Sequence, residues 1–133
     1  MAVLVAAGAT LGTTARATLE STFAPTTGAV PWVTFGINIT GSFLLGALLQ
    51  LLTYAGPDTG WRRTVRLGCG TGVIGGFTTY STFILEIDQL ARGGNLGAAT
   101  GYMFASVSAG LAAALVAIAF VNRVAGRRSV VTA

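Results

Sequence analysis

The chain has 133 residues, of which 53% are hydrophobic and only 9% are charged, and its mean hydropathy is +0.73. Because a soluble domain carries about 25% charged residues, this composition excludes a water-soluble globular protein and indicates an integral membrane protein. The net charge of +4 comes from Arg residues near segment ends, without the basic stripe on a polar face that nucleic-acid binding requires.

Four segments are long and apolar enough to cross a bilayer, which takes about 20 residues each. They are predicted at about residues 1–19, 31–54, 65–90 and 96–121. The connections are short, and the first of them contains Pro25 and Gly28. No stretch is long enough to link a second domain, so we predict one all-α domain, residues 1–133, with four transmembrane helices.

The second segment carries one amide side chain, Asn38, in its middle part, with Ser42 four residues later on the same helical face. Two interpretations fit this position. Asn38 could form an interhelical hydrogen bond, which is a common use of Asn in membranes. Alternatively, it could donate to a polar solute that moves along a path between helices.

The third segment has an unfavourable composition for an uninterrupted helix between Gly72 and Phe83. Three glycines each cost roughly 1 kcal/mol relative to Ala in a helix, and three threonines lose side-chain freedom there. These residues are Gly72, Gly75, Gly76, Thr78, Thr79 and Thr82. We therefore predict that this helix is broken at its middle. In hydrocarbon, freed backbone groups must be buried in protein or line a wet cavity, which makes the break a candidate site.

Tyr80 and Phe83 follow this motif three residues apart and share a helical face, which Glu86 continues towards the membrane edge. Such an aromatic pair usually packs in a core. Here hydroxyl groups surround it, on Thr79, Ser81 and Thr82. Because aromatic edges carry partial positive charge, the group could replace the hydration shell of a small anion.

The fourth segment presents small residues on one face, at Gly101, Ala105, Ser108 and Ala112. This spacing favours close helix packing. Tyr102 and Ser108 are the polar residues expected to do more than pack.

Catalytic chemistry is not indicated. The chain has no His, and no nucleophile with a basic partner, metal-ligand cluster or phosphate-binding loop is recognisable. The single cysteine, Cys69, lies in an apolar run and is predicted to be a small buried residue. We predict that the protein is not an enzyme.

Arginine is distributed unevenly between the two ends of the predicted helices. With four crossings, the termini and the middle loop share one side, which holds six of the eight arginines. These are Arg62, Arg63, Arg66, Arg123, Arg127 and Arg128, against Arg16 and Arg92 on the other side. The positive-inside rule then places both termini in the cytoplasm.

Several of these motifs together resemble the small fluoride channels of the Fluc or CrcB family. The matching stretches are GATLGTTAR in the first segment, GINITGSFLLGALL in the second and GGFTTYSTF in the third, with Tyr102, Ser106 and Gly110 in the fourth. The resemblance covers residues 8–121, and the second and third motifs together are highly specific.

The resemblance implies a passive fluoride channel in the cell membrane that lowers cytoplasmic fluoride, built as an antiparallel, dual-topology dimer with two pores at its interface. It implies that Asn38 contacts fluoride and that Tyr80 and Phe83 are the pore aromatics. The polar track would comprise Thr79, Ser81, Thr82, Tyr102 and Ser108. The resemblance also implies a structural Na⁺ on the two-fold axis, held by the backbone carbonyls of Gly75 and Thr78.

Three features depart from this pattern. Tyr80 stands where the family usually has Phe, and Ala112 stands where some members have a hydroxyl residue. The arginine bias favours one orientation, so a heterodimer with an oppositely oriented relative stands beside the homodimer. Alternatives of another kind are a coupled small-molecule exporter built as a four-helix dimer, which should carry a titratable carboxylate in mid-membrane, and a non-transporting partner subunit.

Overall fold

The protein is all-helical in the parts of the chain that the structure, a computed structural model, describes. These parts are residues 1–23 and 29–131, with side chains described up to residue 125. The helices are α1 (Ala2–Thr22), α2 (Trp32–Ala55), α3 (Gly60–Val65), a π-helix (Arg66–Ile74), α4 (Gly75–Phe77), α5 (Ser81–Arg92) and α6 (Leu96–Val131). Pro25, Gly28 and the side chains of Arg127 and Arg128 lie outside the described residues.

Three of these helices are long and apolar enough to cross a membrane: α1, α2 and α6, the last over Leu96–Ala125. The third predicted segment corresponds to α3, the π-helix, α4 and α5 in succession. The helix α6 extends well beyond the predicted end at residue 121, because Asn122 and Arg123 mark the polar edge of the apolar run without stopping a helix.

The helices pack in two layers, and the π-helix of the third segment contacts both α1 and α2. One layer is α2 against α6, and the other is α1 against the π-helix and α4. The helix α5 crosses to pack on α6. At one end of the molecule, Gln50 and Tyr54 of α2 donate hydrogen bonds to the Asn122 side-chain oxygen of α6, at 2.7 and 3.1 Å.

The glycines of the third segment do not form the break that their composition predicted. Helical backbone continues through all of them to Phe77, with nine residues in π-helical geometry. The glycines instead allow backbones to touch, because a Cβ atom on Gly76 would collide with the Ala9 carbonyl oxygen of α1. Gly12 of α1 likewise leaves room for the Val73 carbonyl oxygen, so packing offsets the poor helix propensity.

The interruption lies at Thr78–Tyr80, between α4 and α5. Thr78 has an extended backbone, with φ −76° and ψ 156°, and helical geometry resumes at Tyr80. The predicted broken helix is therefore present, but the threonines form the break and the glycines do not.

Cys69 is exposed, so the expectation that it is buried was wrong. It projects from the π-helix, whose buried positions are Gly68, Gly70 and Gly72. The face of the π-helix towards the other helices is made of glycine, which leaves Cys69 on the opposite face.

Candidate functional site

Asn38 joins α2 to the break through two hydrogen bonds to one residue. Its Nδ2 donates to the Thr79 carbonyl oxygen at 3.1 Å, and its Oδ1 accepts from the Thr79 amide at 2.9 Å. The side chain thus replaces the helical partners that the Thr79 backbone lacks at the break. Of the two interpretations left open by the sequence, the interhelical hydrogen bond is observed, and the amide keeps a second N–H for another acceptor.

Thr79 also supports the start of helix α5. Its hydroxyl oxygen accepts from the Thr82 amide at 3.1 Å and donates to the Thr82 hydroxyl at 3.1 Å. This bond is similar to that of a helix N-cap, one residue before the N-cap position at Tyr80, and it satisfies one of the unpaired amides of the first turn. Asn38 and Thr79 together hold the interruption in a defined geometry.

Two backbone carbonyls lose their regular helical donors at this point. In an uninterrupted α-helix the Thr79 amide would donate to the Gly75 carbonyl, but it donates to Asn38. The Thr82 amide would donate to the Thr78 carbonyl, but it donates to the Thr79 hydroxyl. Gly75 and Thr78 therefore present carbonyl oxygens relieved of these bonds at the middle of the third segment.

An aromatic cluster follows the break. The Phe83 ring is 7% exposed, and its centroid lies 5.4 Å from that of Tyr102, which is 4% exposed. The Tyr80 ring lies 6.3 Å from Phe83 but is 76% exposed, at the surface of the chain. Phe83 is thus central to the cluster, and Tyr80 projects away from the chain.

A buried polar triad lies next to these rings. The Glu86 carboxylate accepts a hydrogen bond from the Thr34 hydroxyl at 2.5 Å and another from the Tyr102 hydroxyl at 2.9 Å. Thr34 is buried and Glu86 is half-buried. Because both hydroxyls donate to the carboxylate, neither can donate to another acceptor until the Glu86 side chain moves. Helical spacing predicts Glu86 towards the membrane edge, whereas no spacing pattern in the sequence identifies Thr34.

Arg16 of α1 brings a positive charge to the Gly76 carbonyl, just before the break. Its Nε donates to the Gly76 carbonyl at 3.4 Å, and the Thr13 hydroxyl donates to the same oxygen at 3.3 Å. The guanidinium also pairs with Glu20 at 3.3 Å. Arg16 therefore lies within α1, is paired with Glu20 and reaches the third segment.

The structure brings together most of the predicted polar residues and separates two of them. Ser81 and Ser108 are both exposed, and neither contributes a side-chain hydrogen bond within the described part of the chain. By contrast, the Ser106 hydroxyl is buried without a partner among the described residues. Ser106 lies one helical turn from Tyr102 on α6, and this i,i+4 spacing in the sequence could have identified it.

Within the described residues, no group of three or more His, Cys, Asp or Glu side chains could hold a metal ion. The freed backbone carbonyls supply hard oxygen ligands at the break. The site therefore combines freed carbonyls, an amide and hydroxyl groups with two buried aromatic rings.

Comparison with known proteins identifies relatives over almost the whole chain. A family model described as CrcB-like protein, Camphor Resistance (CrcB), matches residues 3–118. The chain is 48% identical over 128 residues to "Fluoride-specific ion channel FluC 2" of Leifsonia xyli, covering 96% of this chain and 88% of that protein. It is 45% identical over 126 residues to "Fluoride-specific ion channel FluC 1" of Cutibacterium acnes, with coverage of 95% and 88%.

A third relative, "Fluoride-specific ion channel FluC 1" of Mycolicibacterium paratuberculosis, is 40% identical over 124 residues, with coverage of 93% and 92%. These matches extend from the first helix into the sixth and include the break and its neighbours. They confirm the resemblance drawn from the motifs, and the chain belongs to the CrcB family of multi-pass membrane proteins.

Proposed function

We propose that this protein is a fluoride channel that lets the ion leave the cell passively through the cell membrane and so lowers cytoplasmic fluoride. The observation that carries the proposal is the break, which Asn38 holds by two hydrogen bonds beside Phe83 and Tyr102. Relatives at 40–48% identity bear the name fluoride-specific ion channel, which supports the choice of ion.

The arrangement suits a small anion that must enter and leave quickly. The free N–H of Asn38 and the positive edges of Phe83 and Tyr102 can each replace part of the hydration shell of fluoride without a full cation. A buried Lys or Arg would hold the anion too tightly for rapid release. Phe83 lies between the polar break and the hydroxyl groups of the triad, so it links two polar regions.

The triad of Thr34, Glu86 and Tyr102 is the next polar region along the proposed path. Fluoride is a strong hydrogen-bond acceptor, and the Thr34 and Tyr102 hydroxyls are donors whose protons face Glu86. A turn of the Glu86 side chain would release both donors towards the ion. The unpartnered Ser106 hydroxyl, one turn along α6, supplies a further donor, so we add Ser106 to the proposed track. Ser81 and Ser108 contribute only if a partner subunit covers them.

A second copy of the chain is part of this proposal, because one chain does not enclose the path. Tyr80 projects from the surface. The small residues of α6 are also exposed, with Gly101 having no neighbouring atom within 4 Å of the place its Cβ would take. We propose that an antiparallel partner covers these surfaces and completes two pores. The partner is an identical chain or an oppositely oriented relative.

We further propose that Na⁺ binds between the two subunits to the carbonyls of Gly75 and Thr78. The support is the fit, because both oxygens have lost their regular helical donors and hard cations prefer oxygen ligands. Bound Na⁺ would supply a fixed positive charge at the interface. We expect the dimer to unfold at a higher temperature in NaCl than in N-methyl-D-glucamine chloride. Equal unfolding temperatures would contradict this assignment.

The coupled exporter is the second candidate, and Glu86 is the observation that favours it, since a half-buried carboxylate could carry protons. The reversal potential separates the two mechanisms. For a passive channel in a planar bilayer, a tenfold fluoride gradient should give a reversal potential of about 59 mV, at the equilibrium value for one elementary charge. An opposing pH gradient should not move it. A reversal potential that shifts with the pH gradient would establish coupled transport.

A further inference from the structure

A pocket lies away from the break, where α2 ends and the chain turns into α3. It has a volume of about 390 Å³. Its walls are formed by Leu49, Leu52, Thr53, Gly56, Asp58, Arg62 and Arg66. One side of the pocket is therefore apolar helix surface, and the other is a charged loop.

Arg62 gives the pocket an unpaired positive charge. Its Nε donates to the Pro57 carbonyl at 2.7 Å and its Nη1 to the Ala55 carbonyl at 2.9 Å, so the guanidinium is fixed in place. Within the described residues it forms no ion pair with a carboxylate. The guanidinium carbon also lies 5.7 Å from the centre of the Trp61 ring.

The second arginine of the pocket is neutralised. Arg66 donates through Nε and Nη2 to one oxygen of Asp58, at 3.0 and 2.7 Å. This hydrogen bond lowers the pKa of the Asp58 carboxyl, so the carboxylate stays ionised near neutral pH. The pocket therefore carries a net charge of +1, and removal of the Asp58 charge would raise it to +2.

The pocket lies at the edge of the membrane. Leu49 is an exposed residue of the transmembrane helix α2, whereas Tyr54 and Trp61 are exposed aromatics of the kind found at membrane interfaces. Arg63 and Arg123 lie near the same end, because Asn122 is bonded to Tyr54. A ligand that fills this pocket must be anionic at its head and apolar along its body.

We propose that this pocket is a binding site for an anionic glycerophospholipid, with the phosphate at Arg62 and an acyl chain along Leu49 and Leu52. Charge complementarity and the apolar wall together select a lipid over a soluble anion, which would leave the leucines uncovered. This site is independent of the fluoride path, so its test does not depend on the channel function.

The two tryptophans of the chain provide a built-in comparison. In the Trp32→Phe protein the tryptophan fluorescence comes from Trp61 alone, and in the Trp61→Phe protein it comes from Trp32 alone. Both proteins are reconstituted with increasing fractions of brominated phosphatidylglycerol or brominated phosphatidylcholine. We compare the lipid fractions that halve the fluorescence of Trp61. We expect the fraction of brominated phosphatidylglycerol to be lower than that of brominated phosphatidylcholine by a factor of about five or more. Trp32 should show no preference, since the arginines at its end are paired with Glu20 and Asp88.

Three variants separate a site from general surface charge. Arg62→Gln should abolish the preference of Trp61 for the anionic lipid, and Arg123→Gln, which removes the same charge outside the pocket, should leave it unchanged. Asp58→Asn should strengthen the preference, which a mere loss of loop structure would not do. Equal losses in Arg62→Gln and Arg123→Gln would overturn the proposal. Equal quenching of Trp61 by the two lipids, or relief of quenching by soluble glycerol phosphate, would also overturn it.

Discussion

Phe83→Ile is expected to stop fluoride efflux while leaving the protein folded and in the proposed dimer. Phe83 is the buried ring between the break and Tyr102, and isoleucine keeps an apolar side chain but removes the aromatic edge. We expect efflux to fall by about 100-fold or more, equivalent to about 2.7 kcal/mol added to the barrier. The measurement is fluoride release from liposomes, with size-exclusion chromatography to check the dimer.

Phe120→Ile is the matched control for this change. Phe120 is 61% exposed and lies on α6 next to Val121, near the end of the molecule where Asn122 is bonded to α2. The Phe120→Ile protein should release fluoride at the rate of the unaltered protein. Normal efflux in Phe83→Ile would remove the aromatic ring from the mechanism.

Asn38→Asp is expected to have an effect of similar size through a different cause. The carboxylate can still accept from the Thr79 amide, but it cannot donate to the Thr79 carbonyl. A carboxylate oxygen would then face the Thr79 carbonyl oxygen at about the 3.1 Å of the lost hydrogen bond, without a proton between them. The new negative charge also repels fluoride. We expect efflux to drop by about 100-fold, which corresponds to about 2.7 kcal/mol, together with a lower unfolding temperature.

Asn122→Asp tests whether any new carboxylate would have this effect. The Asn122 side-chain oxygen accepts from Gln50 and Tyr54, and a carboxylate can accept both bonds equally well. Fluoride efflux through the Asn122→Asp protein should match that through the unaltered protein. If Asn38→Asp also retained full efflux, the break would not need the amide donor and the proposed path would be wrong.

The membrane-spanning character and the interruption were predictable because they follow from local composition. Apolar runs of the length of α1, α2 and α6 are visible in the sequence, and the motif between Gly72 and Phe83 indicated a break. The break lies inside this motif, but the roles of its glycines and threonines were not predictable. The cost of glycine in a helix is local, whereas the packing that compensates for it is tertiary. Gly76 stays helical since its missing side chain admits the Ala9 backbone of α1.

Some polar residues of the site were predictable from the sequence and others were not, for a similar reason. Asn38 stands out as a lone amide in an apolar helix, but Thr34 is one threonine among many. Its role appears only when the fold brings it to Glu86, 52 residues away in sequence. Single residues on one face of a helix can be found from spacing, whereas a triad drawn from α2, α5 and α6 requires the packing of all three helices.

Fluoride efflux from liposomes that contain this chain alone, read with an ion-selective electrode beside chloride-loaded liposomes, tests whether the chain is a self-sufficient fluoride channel. We predict rapid release of fluoride and no release of chloride, which would show that one chain forms the complete pores despite its arginine bias. Equal release of both ions would contradict fluoride selectivity. Silence from a folded, reconstituted sample would contradict a self-sufficient channel.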